Sequence, residues 1–170
     1  MPIAICGLSE VPSFATVPLD HIISIRDNSQ PGPDIRGFKT QFSLHSFVFA
    51  DTGDATNPFA ATEATMHRLL AIYDLTTPDQ KILFQCFAGV SRSSAAAFIW
   101  LVYHGMSYAE AYQLIVLGRG PFVCPNPLMI KHADKIMGEE GRMAAFMSAE
   151  TGRRAPARQA YFDGCKQVTA

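Results

Sequence analysis

The stretch from Lys81 to Tyr103, KILFQCFAGVSRSSAAAFIWLVY, constrains the fold more than any other part of the chain. Its first segment, KILFQ, follows the turn signal Thr77-Pro78-Asp79 and is apolar on both faces, as a central strand covered by helices is. From Ser93 onward, SSAAAFIWLVYHG is apolar nearly all round, which predicts a buried helix closed by Gly105. A buried strand that runs through a short loop into a buried helix belongs at the centre of an α/β domain. The loop then lies at the carboxyl end of a strand, where such sheets place their ligand crevices.

The remaining elements alternate around this centre. HIISI (His21 to Ile25) and FSLHSFVF (Phe42 to Phe49) are rich in branched and aromatic residues and bounded by turn clusters such as DNSQPGPD, so strands are expected there. IAICGL near the start is a further strand candidate. Asn57 as N-cap with Pro58 behind it predicts an amphipathic helix with Met66, Leu69, Leu70 and Tyr73 on one face. Ser107 and Glu110 make a capping-box pattern for a helix through about Leu117, and Asn126-Pro127 opens another. After Gly141 the signals weaken, and TGRRAPARQ reads as a linker or solvated tail carrying Arg153, Arg154 and Arg158. The expectation is one domain over residues 1–150 with a tail over 151–170. Its class is α/β, with a mostly parallel central sheet flanked by helices.

A chain of 170 residues, 48% hydrophobic, is long enough for one domain with a substantial core. The net charge of −1 supplies no bulk field for nucleic acid or anionic lipid, so any anion recognition must be local. From Cys86 to Ile130 the only charged residues are Arg92, Glu110 and Arg119, which leaves Arg92 with few acidic neighbours in sequence. The four cysteines, Cys6, Cys86, Cys124 and Cys165, form neither a CxxC pair nor a zinc-type cluster, and the five histidines show no ligand spacing. No metal or other cofactor is expected, and Cys124 and Cys165 read as small packed hydrophobes. Free thiols, an N-terminus without a basic leader, and an apolar stretch from Ala95 to Tyr103 of about half a membrane span point to a cytoplasmic protein with no membrane or nucleic-acid partner.

The chemistry concentrates in CFAGVSRS. A loop of this length between strand and helix can curl its N–H groups toward one centre, where the helix N-terminus adds partial positive charge. Gly89 permits backbone conformations closed to other residues, while Ala88 and Ser91 are small. A cation at a helix start is disfavoured by the dipole, so Arg92 makes better sense with an anion between it and the helix, gripped through paired hydrogen bonds. The same field favours a thiolate at Cys86. Such a thiolate is an in-line nucleophile toward a bound phosphoryl group, and Ser93 can hydrogen-bond the sulfur as it leaves again. Backbone amides and Arg92 can neutralise the equatorial oxygens without a metal.

CFAGVSRSS resembles the C-x5-R-S/T signature of the cysteine-dependent protein tyrosine phosphatase superfamily, and its A-G-x-S-R-S core is similar to the compact dual-specificity branch. The pattern extends from about His21 to Asp134, and PNPLMIKHADKIMGEEGRM resembles small bacterial tyrosine-phosphatase-like proteins. The resemblance implies a protein tyrosine phosphatase-like fold, Cys86 as nucleophile, Arg92 as phosphate clamp, and Phe87, Ala88, Gly89, Val90 and Ser91 as the rest of the phosphate cradle. In that family an aspartate on a separate loop protonates the leaving oxygen. FVFADTGDATNPF offers Asp51 and Asp54; Asp51 directly follows the strand and its Asp-Thr pair resembles the family's acid loop, so it is preferred, with Asp54 as runner-up. One departure is Gln85, which stands where the family has histidine before the nucleophile. The implied activity is hydrolysis of phosphotyrosine, and of phosphoserine or phosphothreonine beside it, on a phosphorylated protein or a small phosphate ester. A rhodanese-like sulfurtransferase and a phosphate-binding module with little or no turnover remain as alternatives.

Overall fold

The computed structural model describes residues 3–168, with the side chains of Arg158 and of residues 161–168, Cys165 among them, outside the described set. Four strands, β1 (Ile3–Cys6), β2 (His21–Arg26), β3 (Ser43–Val48) and β4 (Ile82–Gln85), form one sheet in the order β1-β4-β2-β3. Every neighbouring pair is parallel. The strands therefore end on the same edge of the sheet, which gathers the segments after Cys6, Arg26, Val48 and Gln85. That shared edge places the site.

Alternation along the strands separates two apolar faces. Ile23, Ile25, Phe47, Ile82 and Phe84 face the larger core, built with the helices α1 (Glu63–Tyr73), α2 (Arg92–Tyr103), α3 (Tyr108–Arg119), α4 (Pro127–Met137) and α5 (Arg142–Val168). Ile22, Leu83 and Cys6 face the other way, where Val11 and Phe14 of a 3₁₀ segment (Leu8–Phe14) and Ile35, Phe38 and Phe42 of the β2–β3 crossover cover them. The helices thus collect on one face. α2 is buried throughout from Arg92 to Val102, as its lack of a polar face predicts. Its two nearest polar obligations are met: the Tyr73 hydroxyl donates to the Ala96 carbonyl at 2.8 Å and the Trp100 indole to the Thr76 hydroxyl at 2.8 Å.

Local signals hold at three of the four expected caps. Ser107 and Glu110 form the capping box of α3, Asn126 caps α4 with Pro127 in the first turn, and Gly105 follows the end of α2 with φ +89°. The start of α1 differs. Its N-cap is Thr62, whose side chain accepts from the Thr65 N–H, while the Asn57 side chain accepts from the Phe59 N–H in a local turn. Asn-Pro is an equally good turn opener, and Ala60-Ala61 lets the chain run into the core before the helix begins. The backbone of α5 continues through the segment expected as a tail, and Arg154 stacks on Tyr112 at 5.5 Å. Among the described residues no helix is long and apolar enough to cross a membrane.

Candidate active site

Cys86 follows β4 directly and Arg92 opens α2, so the six residues from Cys86 to Ser91 form the turn between them. Each carbonyl of this turn is taken by a donor outside it. Cys86 O accepts from the Gln85 amide at 2.7 Å, Phe87 O from the Leu8 N–H at 2.9 Å, and Ala88 O and Gly89 O from two nitrogens of Arg119, both at 3.0 Å. Val90 O accepts from the Cys124 N–H at 3.0 Å and Ser91 O from the Asn126 N–H at 3.2 Å. The N–H groups of Phe87 through Ser91, by contrast, have no protein acceptor among the described residues. With the carbonyls turned out, these donors face the concave side, beside the start of α2.

Gly89 makes this curl possible. Its φ is +70°, and a Cβ there would stand 2.5 Å from Gly7 N and 2.6 Å from an Arg119 nitrogen. Arg119 in turn is ion-paired with Glu10 at 2.9 Å, so this cation is a brace behind the loop. Burial opposes the Glu10 charge, but the Arg119 hydrogen bond, the Gly7 N–H and the Arg119 charge outweigh it and hold the carboxyl below its ordinary value of 4.5.

The Cys86 sulfur is buried and lies 3.1 Å from the Ser93 hydroxyl. Gln85 points away from the sulfur: its carbonyl accepts from the Ser24 hydroxyl at 2.6 Å, tying the loop to β2. Cys6 lies on the neighbouring strand, and its carbonyl accepts from the Cys86 N–H at 3.4 Å. Burial first, then Glu10 and Cys86, pushes its thiol up to about 12, against the opposing pull of Arg119. Cys6 is therefore a protonated spectator.

Arg92 is 2% exposed. One terminal nitrogen donates to the Phe49 carbonyl at 2.8 Å and the other to Asp27 at 3.2 Å, so residues after β3 and β2 both orient it. Its buried Nε has no hydrogen-bond partner, with Asp51 Oδ2 at 3.6 Å. Asp51 is brought to the loop: its Oδ1 accepts from the Ser91 hydroxyl at 2.7 Å and the Asn126 amide at 2.8 Å. Asp54 is not. It closes a local turn with the Thr56 N–H at 2.8 Å and the Thr56 hydroxyl at 2.7 Å, and those bonds lower its carboxyl on the open surface. Because Ser91 turns to Asp51, α2 has no side-chain cap, and its first amides stay available. Among the described residues no group of three or more His, Cys, Asp or Glu side chains is placed to hold a metal.

Asp27, Asn126, Arg119 and Ser24 are invisible as site residues in the sequence. Asn126 and Arg119 carry signals of their own, a helix cap and a helix-end cation, and both signals conceal a second task. Asp27 sits in a turn cluster without distinguishing context. An open cleft of about 670 Å³ is lined by Phe59 among others and by Asp27 and Phe49, the two residues that accept from Arg92.

No family model matches the chain, and no curated protein matches it. Solved structures do. Human DUSP28 superposes with a TM-score of 0.57 at 21% identity, over 88% of this chain and 96% of its own. A human tyrosine phosphatase-like serine/threonine/tyrosine-interacting protein gives 0.57 at 19%, over 82% and 93%. PTPMT1, solved with PI(5)P, gives 0.50 at 14%, over 87% and 91%. The all-parallel sheet, the turn from Cys86 to Ser91 and the buried helix behind it together build the fold of the dual-specificity phosphatases.

Proposed function

We propose that the protein is a cysteine-dependent phosphatase that hydrolyses phosphate monoesters, phosphotyrosine first and phosphoserine or phosphothreonine beside it. The observation that carries this reading is the outward pairing of every carbonyl from Cys86 to Ser91, because it leaves the loop's N–H groups to an oxyanion. The Arg92 Nε, which makes no hydrogen bond and lies 3.6 Å from Asp51, adds a charged donor at the start of α2. The Cys86 thiolate attacks phosphorus in line, a P–S bond forms as the ester P–O bond breaks, and Asp51 gives its proton to the leaving oxygen. Water then attacks phosphorus, its proton passes to the Asp51 carboxylate, and the P–S bond breaks with the thiolate received by the Ser93 hydroxyl. The loop holds no Lys or Arg between Cys86 and Arg92, which suits a single phosphoryl group better than a headgroup with several phosphates. The free cysteines Cys6, Cys86 and Cys124 support a cytoplasmic setting.

The test is hydrolysis of an aryl phosphate with chelator present. Wild type turns over, while Cys86→Ser loses turnover and keeps phosphate binding; substantial turnover by Cys86→Ser overturns the covalent mechanism. Asp51→Asn removes the basic limb of the pH–rate profile and Asp54→Asn leaves it in place. A second reading, phosphate binding without turnover, draws on the neighbour described as an interacting protein. The reading of Cys86 as nucleophile, Arg92 as clamp and Asp51 as acid, supported by the Arg92–Asp51 distance of 3.6 Å, favours turnover over it. Thiosulfate turnover would instead point to a sulfurtransferase.

A further inference from the structure

α4 and α5 are tied together at one end and stand apart beyond it. The buried carboxylate of Asp134, on α4, accepts from the Gly141 N–H at 2.6 Å and the Ala144 N–H at 2.9 Å, which fixes the start of α5. From there α5 turns Ala144, Ser148 and Thr151 toward α4, one face at a spacing of four and three residues and small at each position. Such a face leaves unfilled what interior packing ordinarily closes. The result is an open cavity of about 510 Å³, with Ile130 and Met147 in its apolar walls and the dimensions of an organic ligand site. Three charged residues border it, and two are committed. Asp134 holds the two α5 amides, and the Lys135 ammonium donates to Glu63 at 2.6 Å. Lys131 is exposed and has no ion pair or hydrogen bond among the described residues.

An apolar hollow with one uncommitted cation at its edge complements an amphipathic carboxylate, whose chain lies inside and whose head meets the ammonium. The cavity also touches the candidate active site. Cys124 is half-buried and lines it, and the Cys124 N–H donates to the Val90 carbonyl at 3.0 Å. We propose that the cavity between α4 and α5 is an effector site for a carboxylate of the fatty-acid type, and that Cys124 communicates its occupancy to the turn from Cys86 to Ser91. This rests on that turn binding an oxyanion. A chain packed against Cys124 restricts the segment between α3 and α4, which holds the Val90 carbonyl outward and keeps the turn's N–H groups presented before phosphate arrives. Each ligand therefore tightens the other, and by linkage the two factors are equal.

Decanoate is the probe, titrated calorimetrically beside decylamine, with inorganic phosphate titrated in its presence and absence. Wild type is expected to bind decanoate saturably and in preference to decylamine, and phosphate affinity is expected to rise about five-fold at saturation. Lys131→Glu should reverse the preference between the two amphiphiles. Ser148→Trp fills the hollow from an exposed position and should abolish binding of both, with thermal melting followed to show that each variant folds. In Cys86→Ser, decanoate should slow maleimide labelling of Cys124, read by peptide mapping. No saturable decanoate binding, equal binding of decylamine, or a preference for decanoate that survives Lys131→Glu overturns the proposal. Decanoate binding that leaves phosphate affinity unchanged overturns it as well, because the cavity is then no effector site. If wild type binds no phosphate with or without decanoate, the reading of the turn as an oxyanion cradle falls, and the proposal with it.

Discussion

Arg119 donates from its Nε to the Gly89 carbonyl at 3.0 Å, and with a second nitrogen it reaches the preceding carbonyl, that of Ala88, at the same distance. A cation beside a turn whose own N–H groups from Phe87 to Ser91 stay unpaired among the described residues thus spends its donors on the back of that turn. Two consecutive carbonyls need a planar fork to be held in parallel, which a lysine ammonium does not provide.

Arg119→Lys and Arg119→Ala are accordingly expected to weaken oxyanion binding to similar extents. Hydrogen bonds from a charged donor contribute about 1.5–3 kcal/mol each, so loss of the brace should lower phosphate affinity by at least ten-fold while Cys86 stays in place. Titration with inorganic phosphate or vanadate measures this. A lysine variant with wild-type affinity would show that a point charge suffices.

Glu10 fastens Arg119 from the far side, and its acidified carboxyl couples that fastening to pH. A carboxyl lowered in the folded state contributes stability that is complete above its ordinary value of 4.5 and is lost as pH falls through the lower, folded value. Wild type should therefore lose melting temperature on acidification through that window more steeply than Glu10→Gln does. Parallel curves would remove Glu10 from the account.

Cys6 at the end of β1 and Cys86 just after the neighbouring β4 have opposite prospects for alkylation. Burial holds the Cys6 thiol near 12, so at neutral pH iodoacetate should leave it unmodified in the folded protein. Peptide mapping after a short pulse is expected to find label on Cys86 and none on Cys6, and phosphate should protect Cys86. Labelling of Cys6 at a comparable rate would show that the β1 end opens readily.

Gln85 bridges the Ser24 hydroxyl and the Cys86 carbonyl. Gln85→Leu strands both polar groups in the interior, at a cost of roughly 1–3 kcal/mol each, and should lower the melting temperature. Gln85→His retains one donor and one acceptor, so it should keep most of that stability. Its iodoacetate inactivation profile is expected to differ from that of wild type, since an imidazole can carry charge where the amide cannot. Superimposable profiles would leave this position purely structural.

Short-range chemistry is legible in the amino-acid sequence by itself. The strand, turn and buried helix around Cys86 and Arg92, the need for glycine at position 89, and the caps at Ser107 and Asn126 all lie within a few residues of their causes. Ser93 beside the sulfur belongs to the same class, because a fixed offset along a helix fixes its direction. At the start of α1 the sequence points to Asn57, whereas the cap forms five residues later at Thr62.

The partners of those groups depend on the fold. Asp27 reaches Arg92 across 65 positions, Asn126 reaches Asp51 across 75, and Arg119 reaches Glu10 across 109. Nothing in the neighbourhood of any of these residues names its partner. The strand order β1-β4-β2-β3 decides it, by bringing the segments after all four parallel strands to one edge. That is also why Asp51 rather than Asp54 meets the loop: two residues of chain lie between them, and by Asp54 the backbone has already turned into solvent and closed on Thr56. Which carboxylate faces an arginine is a matter of ångströms, and sequence separation sets no distance once the chain is folded back on itself by strand pairing and burial.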